Sequence, residues 1–378
     1  MYHVKTMNKI SKIGLAELDD RFEISDTMEH EDAILVRSAK LHDYDFPAEL
    51  KCIARAGAGV NNIPLDRAAD AGIVVFNAPG ANANGVKELT IAALLLASRK
   101  ISQGITWVKE QSAAGADVAA VVEKGKAAYV GPEIMGKTLG VVGLGAIGVL
   151  VANAAAALGM KIVGYDPFLS VTHALNLTPG VEVVDTLPEL YAKADYISLH
   201  LPMNDATRGT LNEAAFAAMK DGVRIVNLAR GELVDTSALK AALDSGKCAA
   251  YVTDFPNSET AAIEGVVAIP HLGASTPESE DNCAMMAARE VKEYLDNGSI
   301  INSVNLPNLT MAWAAKTRVC VISKGADAAA IAGAVPAVAS ASNTRGEYAY
   351  TILDTDAAVD EAAIAAIPGV LRVRVLTR

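Results

Sequence analysis

The sequence is poor in aromatic residues and in positive charge. The first shortage argues against one class of fold, and the second argues against one class of binding partner. Phe, Trp and Tyr make up only 5% of the 378 residues. This favours helices alternating with buried parallel strands over a sandwich of short, aromatic-rich strands. The net charge is −11 and no long Lys/Arg block occurs, which argues against nucleic acid or an anionic membrane as a partner. The length predicts two or three domains.

Cysteine is also scarce, and no pair has the close spacing of a metal or redox site. The four cysteines are widely separated, at Cys52, Cys248, Cys283 and Cys320. We expect reduced core residues and no bound metal, as in a cytoplasmic protein. The first residues, MYHVKTMNKISKIG, lack the apolar core of an export signal, so we expect no export.

One uncharged run, residues 138–160, is long enough for a membrane helix of about 20 residues. Its glycines argue against that interpretation. The stretch TLGVVGLGAIGVLVANAAAALGMKIVGYDP is typical of a short strand, a glycine turn, an Ala-rich helix and a second strand that ends in an acid. We therefore predict no membrane span.

The glycine turn has the GxGxxG spacing at Gly143, Gly145 and Gly148. The first glycine permits the tight turn, the second lets a pyrophosphate approach the backbone, and the third lets the helix pack on the strand. Asp166 follows about 20 residues later, where a carboxylate binds the adenosine ribose and repels a 2′-phosphate. The motif predicts NAD rather than NADP; the alternative is a packing turn with a solvated Asp.

The flanking segments predict a second α/β domain. Five strand-like runs precede the glycine turn: VKTM, FEIS, AILV, LKCIA and GIVVFNAP. A long helix at about 84–101 would cross into the second domain. A helix with Thr276 as N-cap, Pro277 in its first turn and Gly298 after its end would return the chain. We expect a ligand to bind in the cleft between the domains.

Three stretches downstream place reactive side chains where strands end. VNLARGELVD carries Arg230, which can grip a carboxylate with two parallel hydrogen bonds or form a surface ion pair. YVTDFPNSET carries Asp254 and Glu259, which are either functional acids or ordinary loop acids. IPHLGAST carries His271, which alone is as compatible with a core or loop histidine.

Together the three stretches predict chemistry. An arginine, an acid and a histidine downstream of a dinucleotide turn would supply an anion clamp, an orienting carboxylate and a proton acceptor for a hydroxyl whose carbon loses hydride. His200 in YISLHLP is the rival proton acceptor. Because it has no acid nearby in sequence, we interpret it as a structural residue on the cofactor side.

The order of five blocks resembles that of the D-isomer-specific 2-hydroxyacid dehydrogenases. The blocks are ARAGAGVNNIPLDRAADAGIVVFNAP, GKTLGVVGLGAIG, NLARGELVD, PHLGASTPES and IINSVNLP. The resemblance implies an α/β protein with two Rossmann-like, doubly wound parallel-sheet domains. The substrate-binding domain would comprise residues 1–89, completed by 277–305, and the NAD-binding Rossmann domain residues 90–276. It also implies NAD-dependent oxidation of a phosphorylated 2-hydroxy acid by a homodimer or homotetramer.

The resemblance assigns catalytic roles to Arg230, Glu259 and His271. Thr260 follows Glu259 where the family commonly has proline, and the loop from Glu259 to His271 is short. In addition to the three glycines and Asp166, the implied cofactor-binding residues are Ala146, Ile147, Pro202, Ala229, Asp254 and Gly273.

For the substrate, the resemblance implies carboxylate contacts at Gly57, Gly59 and Arg230. The phosphate would meet Arg37 and Arg55, and Lys126 would reach the neighbouring subunit's site. The alternative for each arginine is a solvated surface position.

The tail, residues 310–378, predicts a third module. TRVCVIS, YAYTILDT and VLRVRVLT are strand-like, and Ala-rich helices lie between them. The module resembles the ACT-like α+β regulatory domains. Its first loop, SKGADAAAIAG, lacks the amino-acid-binding groups of such domains, so of the two roles, regulation and assembly, the sequence favours assembly.

Two classes of function stay open. One is a dehydrogenase, and the other is a non-catalytic, NADH-sensing protein like the corepressors of the same fold. The presence of Arg230, Glu259 and His271 together, and the C-terminal module at residues 310–378, favour the dehydrogenase. Within that class, Arg37 and Arg55 favour a phosphorylated acid over a non-phosphorylated one of the glycerate or glyoxylate type.

Overall fold

A computed structural model describes all residues, Met1–Arg378, as two compact units. The first unit contains residues 1–82 and 277–378, and the second contains residues 83–276. Each has a parallel sheet, and the first also carries an antiparallel sheet. The predicted α/β class with two parallel-sheet domains is confirmed.

The first unit begins with a five-stranded parallel sheet in the order β2-β1-β3-β4-β5. The strands are β1 (Tyr2–Met7), β2 (Phe22–Ser25), β3 (Ala33–Val36), β4 (Cys52–Arg55) and β5 (Val74–Asn77). Two short helices lie between them, α1 (Lys12–Leu15) and α2 (Leu65–Asp70). All five runs predicted before the glycine turn are strands, and every residue of β3 is buried, as expected of a central strand covered on both faces.

The second unit begins with three helices, α3 (Ala83–Ser98), α4 (Ile101–Ala113) and α5 (Val118–Gly125). Its seven parallel strands have the order β12-β11-β10-β9-β6-β7-β8. They are β6 (Thr138–Val142), β7 (Lys161–Tyr165), β8 (Glu182–Val183), β9 (Tyr196–Leu199), β10 (Val223–Asn227), β11 (Cys248–Thr253) and β12 (Val266–Ala268). The helices among them are α6 (Ala146–Ala157), α7 (Val171–Leu175), α8 (Leu187–Lys193), α9 (Glu213–Ala218) and α10 (Thr236–Asp244).

The uncharged run is the strand, turn and helix formed by β6, the glycine turn and α6, and β7 follows it. The sequence prediction for this segment is confirmed. None of the helices combines the length and apolar character that crossing a bilayer would require.

Helix α11 (Pro277–Asn297) returns the chain to the first unit, as predicted. Gly298 follows its last residue, and the φ of +70° at Gly298 lies in the left-handed region that favours glycine. A Cβ at this position would also lie 2.4 Å from Cys320 Sγ. Close packing and backbone conformation both require glycine here.

The tail forms an antiparallel sheet in the order β14-β15-β13-β16. Its strands are β13 (Thr317–Lys324), β14 (Ala339–Arg345), β15 (Tyr348–Thr355) and β16 (Val370–Thr377). Its helices are α12 (Ala328–Ala332) and α13 (Glu361–Ala365). Three of the strands were predicted. Strand β14, ASASNTR, has no apolar alternation because it is an edge strand with mostly exposed side chains.

Buried arginines of this sheet bind the carbonyl groups at the end of α11. Arg318 is fully buried and forms two hydrogen bonds with Asp354, of 2.7 and 2.9 Å, and a third, of 2.9 Å, to the carbonyl of Asn297. Arg374 donates to the carbonyls of Tyr294 and Leu295, both at 2.9 Å. The last turn of α11, whose carbonyls lack partners within the helix, is thereby capped.

Candidate dinucleotide and active site

The glycine turn between β6 and α6 has the space and the donors that a pyrophosphate requires. Gly143 has φ +94°, and a Cβ at Gly148 would lie 1.9 Å from the carbonyl oxygen of Gly143. A Cβ at Gly145 would meet nothing within 4 Å, so the backbone is open to a ligand there. No side chain caps the N-terminus of α6, which leaves the first N–H groups of Ala146 and Ile147 available. These residues fit a dinucleotide.

Asp166 is held beside this turn at the end of β7. Its Oδ2 accepts a 2.9 Å hydrogen bond from the backbone N–H of Leu144, and its Oδ1 accepts one of 2.8 Å from Phe168. A carboxylate has about four lone-pair sites, so acceptor capacity remains for ribose hydroxyls. The half-buried side chain is therefore oriented as an acceptor beside the turn.

His200 supports the turn from the neighbouring strand end. The backbone N–H of His200 donates to the carbonyl of Val142 at 2.8 Å. A Cβ at Gly143 would lie 2.6 Å from the backbone carbonyl oxygen of His200. Its Nε2 lies 2.9 Å from Ser198 Oγ, and burial lowers the pKa of the imidazole to about 4. A histidine that stays neutral above this pH is a poor proton acceptor near neutrality. Pro202 follows in the loop, where its carbonyl accepts a 2.6 Å bond from Thr207.

Arg230 is presented by a turn that Asn227 organises. Asn227 is fully buried at the end of β10. Its Oδ1 accepts hydrogen bonds from the N–H groups of Ala229 (3.1 Å) and Arg230 (3.3 Å). Its Nδ2 donates a hydrogen bond of 2.8 Å to the carbonyl of Arg230. The exposed guanidinium donates only to the carbonyl of Ala229, at 2.6 Å, and has no acidic partner. The ion-pair alternative is therefore not observed. Sequence reasoning missed Asn227, although a polar residue ending a buried strand was a usable signal.

Asp254 follows β11 and is 1% exposed. Its Oδ2 accepts a 3.0 Å hydrogen bond from the N–H of Gly273, whereas Oδ1 is buried without a partner. Burial raises the pKa of this carboxyl, and the N–H of Gly273 and the charge of His271 oppose the rise. Since a buried polar atom is costly without a partner, Oδ1 is suited to accept from a donor on a bound ligand.

His271 lies against an aromatic ring. Its ring centroid is 4.3 Å from that of Phe255, at an interplanar angle of 46°. The exposed imidazole forms no hydrogen bond or ion pair, and its backbone carbonyl accepts a 3.1 Å bond from Ser275. Glu259 is exposed at the start of a short 3₁₀ turn and is not bonded to His271. The expected Glu259–His271 pair is absent, and Asp254 is the acid that interacts with His271 electrostatically.

The predicted substrate residues of the first unit lie at the carboxyl ends of β3 and β4 and in the loop after β4. Arg55 Nε donates to the carbonyl of Arg37 at 3.1 Å, and a Cβ at Gly57, where φ is +155°, would lie 2.2 Å from Arg55 Nη1. Arg37 itself is paired with Glu280 of α11 at 2.6 Å. Gly59 is half-buried in the loop that follows.

Lys126 belongs to the second unit, where it pairs at 2.5 Å with Glu123. Both side chains are exposed. The structure of one chain therefore gives this lysine a local carboxylate partner.

Known proteins share this architecture. A family model described as "D-isomer specific 2-hydroxyacid dehydrogenase, NAD binding domain" matches residues 91–273. D-3-Phosphoglycerate dehydrogenase from Methanocaldococcus jannaschii is 36% identical over 315 residues, which cover 81% of this chain and 58% of the relative. The chain thus spans little more than half the length of that relative.

Two solved structures extend the match to the fold. NAD⁺-bound 3-phosphoglycerate dehydrogenase from Entamoeba histolytica is 26% identical with a TM-score of 0.62, covering 82% of this chain and 99% of its own. A glyoxylate reductase from Paecilomyes thermophila is 28% identical with a TM-score of 0.66, covering 80% and 98%. Residues 91–273 are similar to the NAD-binding domain of the D-isomer specific 2-hydroxyacid dehydrogenases, in agreement with the dinucleotide turn between β6 and α6.

Proposed function

We propose that this protein catalyses the NAD-dependent oxidation of D-3-phosphoglycerate to 3-phosphohydroxypyruvate, the first step of phosphorylated L-serine biosynthesis. The observation that carries the proposal is the placement of Arg230, without an acidic partner, and His271 on the ring of Phe255 in the NAD-binding unit. The relative from Methanocaldococcus jannaschii, a D-3-phosphoglycerate dehydrogenase, supports this substrate.

The proposed roles follow from the chemistry of the side chains. Arg230 binds the substrate carboxylate with two parallel hydrogen bonds and polarises the forming carbonyl. Neutral His271 takes the proton of the C2 hydroxyl as the C2–H bond breaks and the C=O double bond forms. Bound NAD supplies the acceptor for the hydride that leaves C2. In the reverse direction the imidazolium returns the proton to the oxygen.

The acid that assists His271 is proposed to be Glu259, acting during turnover. In the structure the two side chains are not bonded, and catalytic hydrogen bonds are often long without substrate. Asp254 and Gly273 are proposed to bind the nicotinamide end of the cofactor, where the unpaired Oδ1 of Asp254 can accept a hydrogen bond. Pro202 and Ala229 complete the proposed cofactor contacts.

The phosphate is proposed to meet Arg37 and Arg55, with the carboxylate also touching Gly57 and Gly59. The pair between Arg37 and Glu280 is more than 40% exposed on both sides, so it contributes at most about 1 kcal/mol, and a dianionic phosphate can displace the carboxylate. Lys126 is proposed to act across a subunit boundary.

The Arg37–Glu280 pair also favours a second candidate, a non-phosphorylated acid of the glycerate or glyoxylate type. If Glu280 keeps Arg37 neutralised, one fewer cation is left for a phosphate. The glyoxylate reductase structure, 28% identical, is consistent with that candidate.

Initial rates of NAD reduction with 3-phosphoglycerate, D-glycerate and D-lactate separate these candidates. We expect the highest kcat/KM with 3-phosphoglycerate. A preference for D-glycerate would favour the second candidate. NADH binding without turnover of any acid would support a non-catalytic, NADH-sensing function.

We also propose a homodimer or homotetramer in the cytoplasm. Neither α4 nor α5 has a single buried residue, and Ile101 and Ile105 on α4 are exposed. Such helices gain stability by packing against a partner, and a second copy of the chain would provide one. Light scattering should show a dimer or larger that Ile105→Glu dissociates.

The division into a substrate-binding domain (1–89 with 277–305), an NAD-binding domain (90–276) and an ACT-like module (310–378) is likewise proposed. The antiparallel sheet with its two helices supports the last of these. The first loop of this module, SKGADAAAIAG, lacks amino-acid-binding groups, which favours a role in assembly over one in regulation.

A further inference from the structure

Phe255 contacts both of the side chains that the proposed reaction uses. Its ring centroid lies 4.3 Å from that of His271, and the guanidinium carbon of Arg230 lies 5.2 Å from the same ring centroid. We propose that Phe255 is a positioning residue that sets the relative placement of Arg230 and His271. This inference rests on the proposed dehydrogenase function.

The backbone of Phe255 is restrained. Its N–H donates a 3.1 Å hydrogen bond to Thr253 Oγ1, at the end of the buried strand β11. On the other side its carbonyl oxygen lies close to Gly231, where a Cβ would come within 3.3 Å of it. The backbone that carries the ring is therefore attached to the sheet and packed against the turn that carries Arg230.

The two functional side chains, in contrast, have few restraints of their own. The His271 imidazole forms no hydrogen bond or ion pair, and Arg230 makes a single hydrogen bond to its neighbouring carbonyl. Since both side chains are exposed, the aromatic ring is the feature they share. Without it, each would sample more rotamers, and fewer conformations would place both groups on one substrate.

An aromatic ring supplies more than volume at this position. Its negative face attracts the Arg230 cation, and it attracts the imidazolium that forms when His271 holds a proton. Aromatic pairing adds to this attraction. Leucine has a comparable apolar volume but no such face, so it separates packing from aromatic character.

The test compares Phe255→Ala, Phe255→Leu and Phe255→Tyr in the full chain. We expect Phe255→Ala to lower kcat about tenfold, which is of the order of one cation–π contact plus one aromatic pair. Affinity for NADH should stay within about twofold of the wild-type value, since the glycine turn and Asp166 are unaltered. Phe255→Tyr should restore most of kcat, and Phe255→Leu should fall between the two.

Phe46 offers a matched control in the first unit. It is half-buried, with the guanidinium carbon of Arg67 4.4 Å from its ring centroid and the Tyr44 ring 6.4 Å away. Phe46→Ala removes comparable contacts and should leave kcat unchanged. If Phe255→Ala behaved like Phe46→Ala, or if NADH affinity and kcat fell together without rescue by tyrosine, the proposal would be wrong.

A second measurement is independent of turnover. The ring current of Phe255 should displace the imidazole C–H resonances of His271 in the proton NMR spectrum, where His271→Asn assigns them. Phe255→Leu should return them towards the values of an exposed histidine, and unchanged resonances would contradict the stacking. If the wild-type protein oxidises no 2-hydroxy acid, the proposed function fails, whereas this spectrum still decides whether Phe255 holds His271.

Discussion

The backbone N–H of Leu144 donates a 2.9 Å hydrogen bond to Oδ2 of Asp166, which joins the glycine turn to the acid that ends the next strand. The bond fixes the carboxylate beside the open backbone of Gly145. We therefore expect the selectivity for NAD to depend on the geometry of the turn as well as on the charge of Asp166.

Replacing Asp166 by Ala should weaken NAD binding by about 10- to 100-fold and relax the preference over NADP. The change removes charge-assisted bonds to the ribose, worth about 1.5–3 kcal/mol, and removes the repulsion of a 2′-phosphate. Fluorescence titration with NADH and NADPH measures both effects. Asp185→Ala, an exposed acid of the same unit, is the control. Equal use of NADP by the unaltered protein would contradict the assignment.

Arg55→Ala or Arg37→Ala should raise KM for 3-phosphoglycerate by about 10- to 100-fold through the loss of a charge-assisted pair. Turnover of D-glycerate should barely change. Steady-state kinetics with both acids check this expectation. Glu280→Gln releases Arg37 from its 2.6 Å ion pair and should lower KM for the phosphorylated acid. Equal losses on both acids would show that the arginines serve the fold or the carboxylate.

His271→Asn should lower kcat by about 10²- to 10⁴-fold while NADH binding is retained, because asparagine cannot accept the proton. Stopped-flow kinetics and NADH titration measure the two quantities. His173→Asn, at a half-buried histidine of α7, serves as control. Near-normal kcat in His271→Asn would remove this histidine from the mechanism.

The carboxylate that assists His271 is identified by comparing Glu259→Gln with Asp254→Asn. We expect Glu259→Gln to lower kcat, and Asp254→Asn to weaken NADH binding, because Asp254 Oδ2 accepts from Gly273 and its Oδ1 has no protein partner. If only Asp254→Asn lowered kcat, the role given to Glu259 would pass to Asp254.

Glu290 of α11 should make the protein less stable as the pH rises. The side chain is 6% exposed; Oε1 accepts a 2.7 Å bond from Asn302, and Oε2 is buried without a partner. Burial raises its pKa to about 8, so the folded state retains a proton that the unfolded state, with its ordinary carboxyl, has lost. The contribution of Glu290 to the free energy of unfolding is fully present below about pH 4.5 and is lost as the pH rises to about 8. Between these values the free energy of unfolding falls by up to about 1.4 kcal/mol for each pH unit.

Denaturant unfolding between pH 5 and about pH 9 checks this expectation. Glu290→Gln should flatten the dependence and stabilise the protein at the alkaline end. Glu278→Gln, an exposed acid on the same helix, should leave it unchanged. If the free energy of unfolding of Glu290→Gln still fell with rising pH, another group would be responsible for the pH dependence.

Local signals were sufficient for much of the fold. The spacing of Gly143, Gly145 and Gly148 predicted the strand, turn and helix, since the constraint on each glycine arises from its own backbone and nearest neighbours. The N-cap and the glycine stop predicted α11 for the same reason. Strand β14 was not predicted, because the sequence of an exposed edge strand shows no alternation of apolar and polar residues.

The sequence by itself determined the chemistry available to the protein: a dinucleotide turn, an acid after the next strand, and an arginine and a histidine near strand ends. Only the tertiary structure decided which of these groups touch. The resemblance predicts Arg37 as a phosphate ligand, and the structure adds that its guanidinium is paired with Glu280, which is 243 positions away. The resemblance pairs Glu259 with His271, whereas in the structure the ring of Phe255 lies against the imidazole. Contacts of this kind depend on how distant segments pack, and no local pattern of residues encodes them.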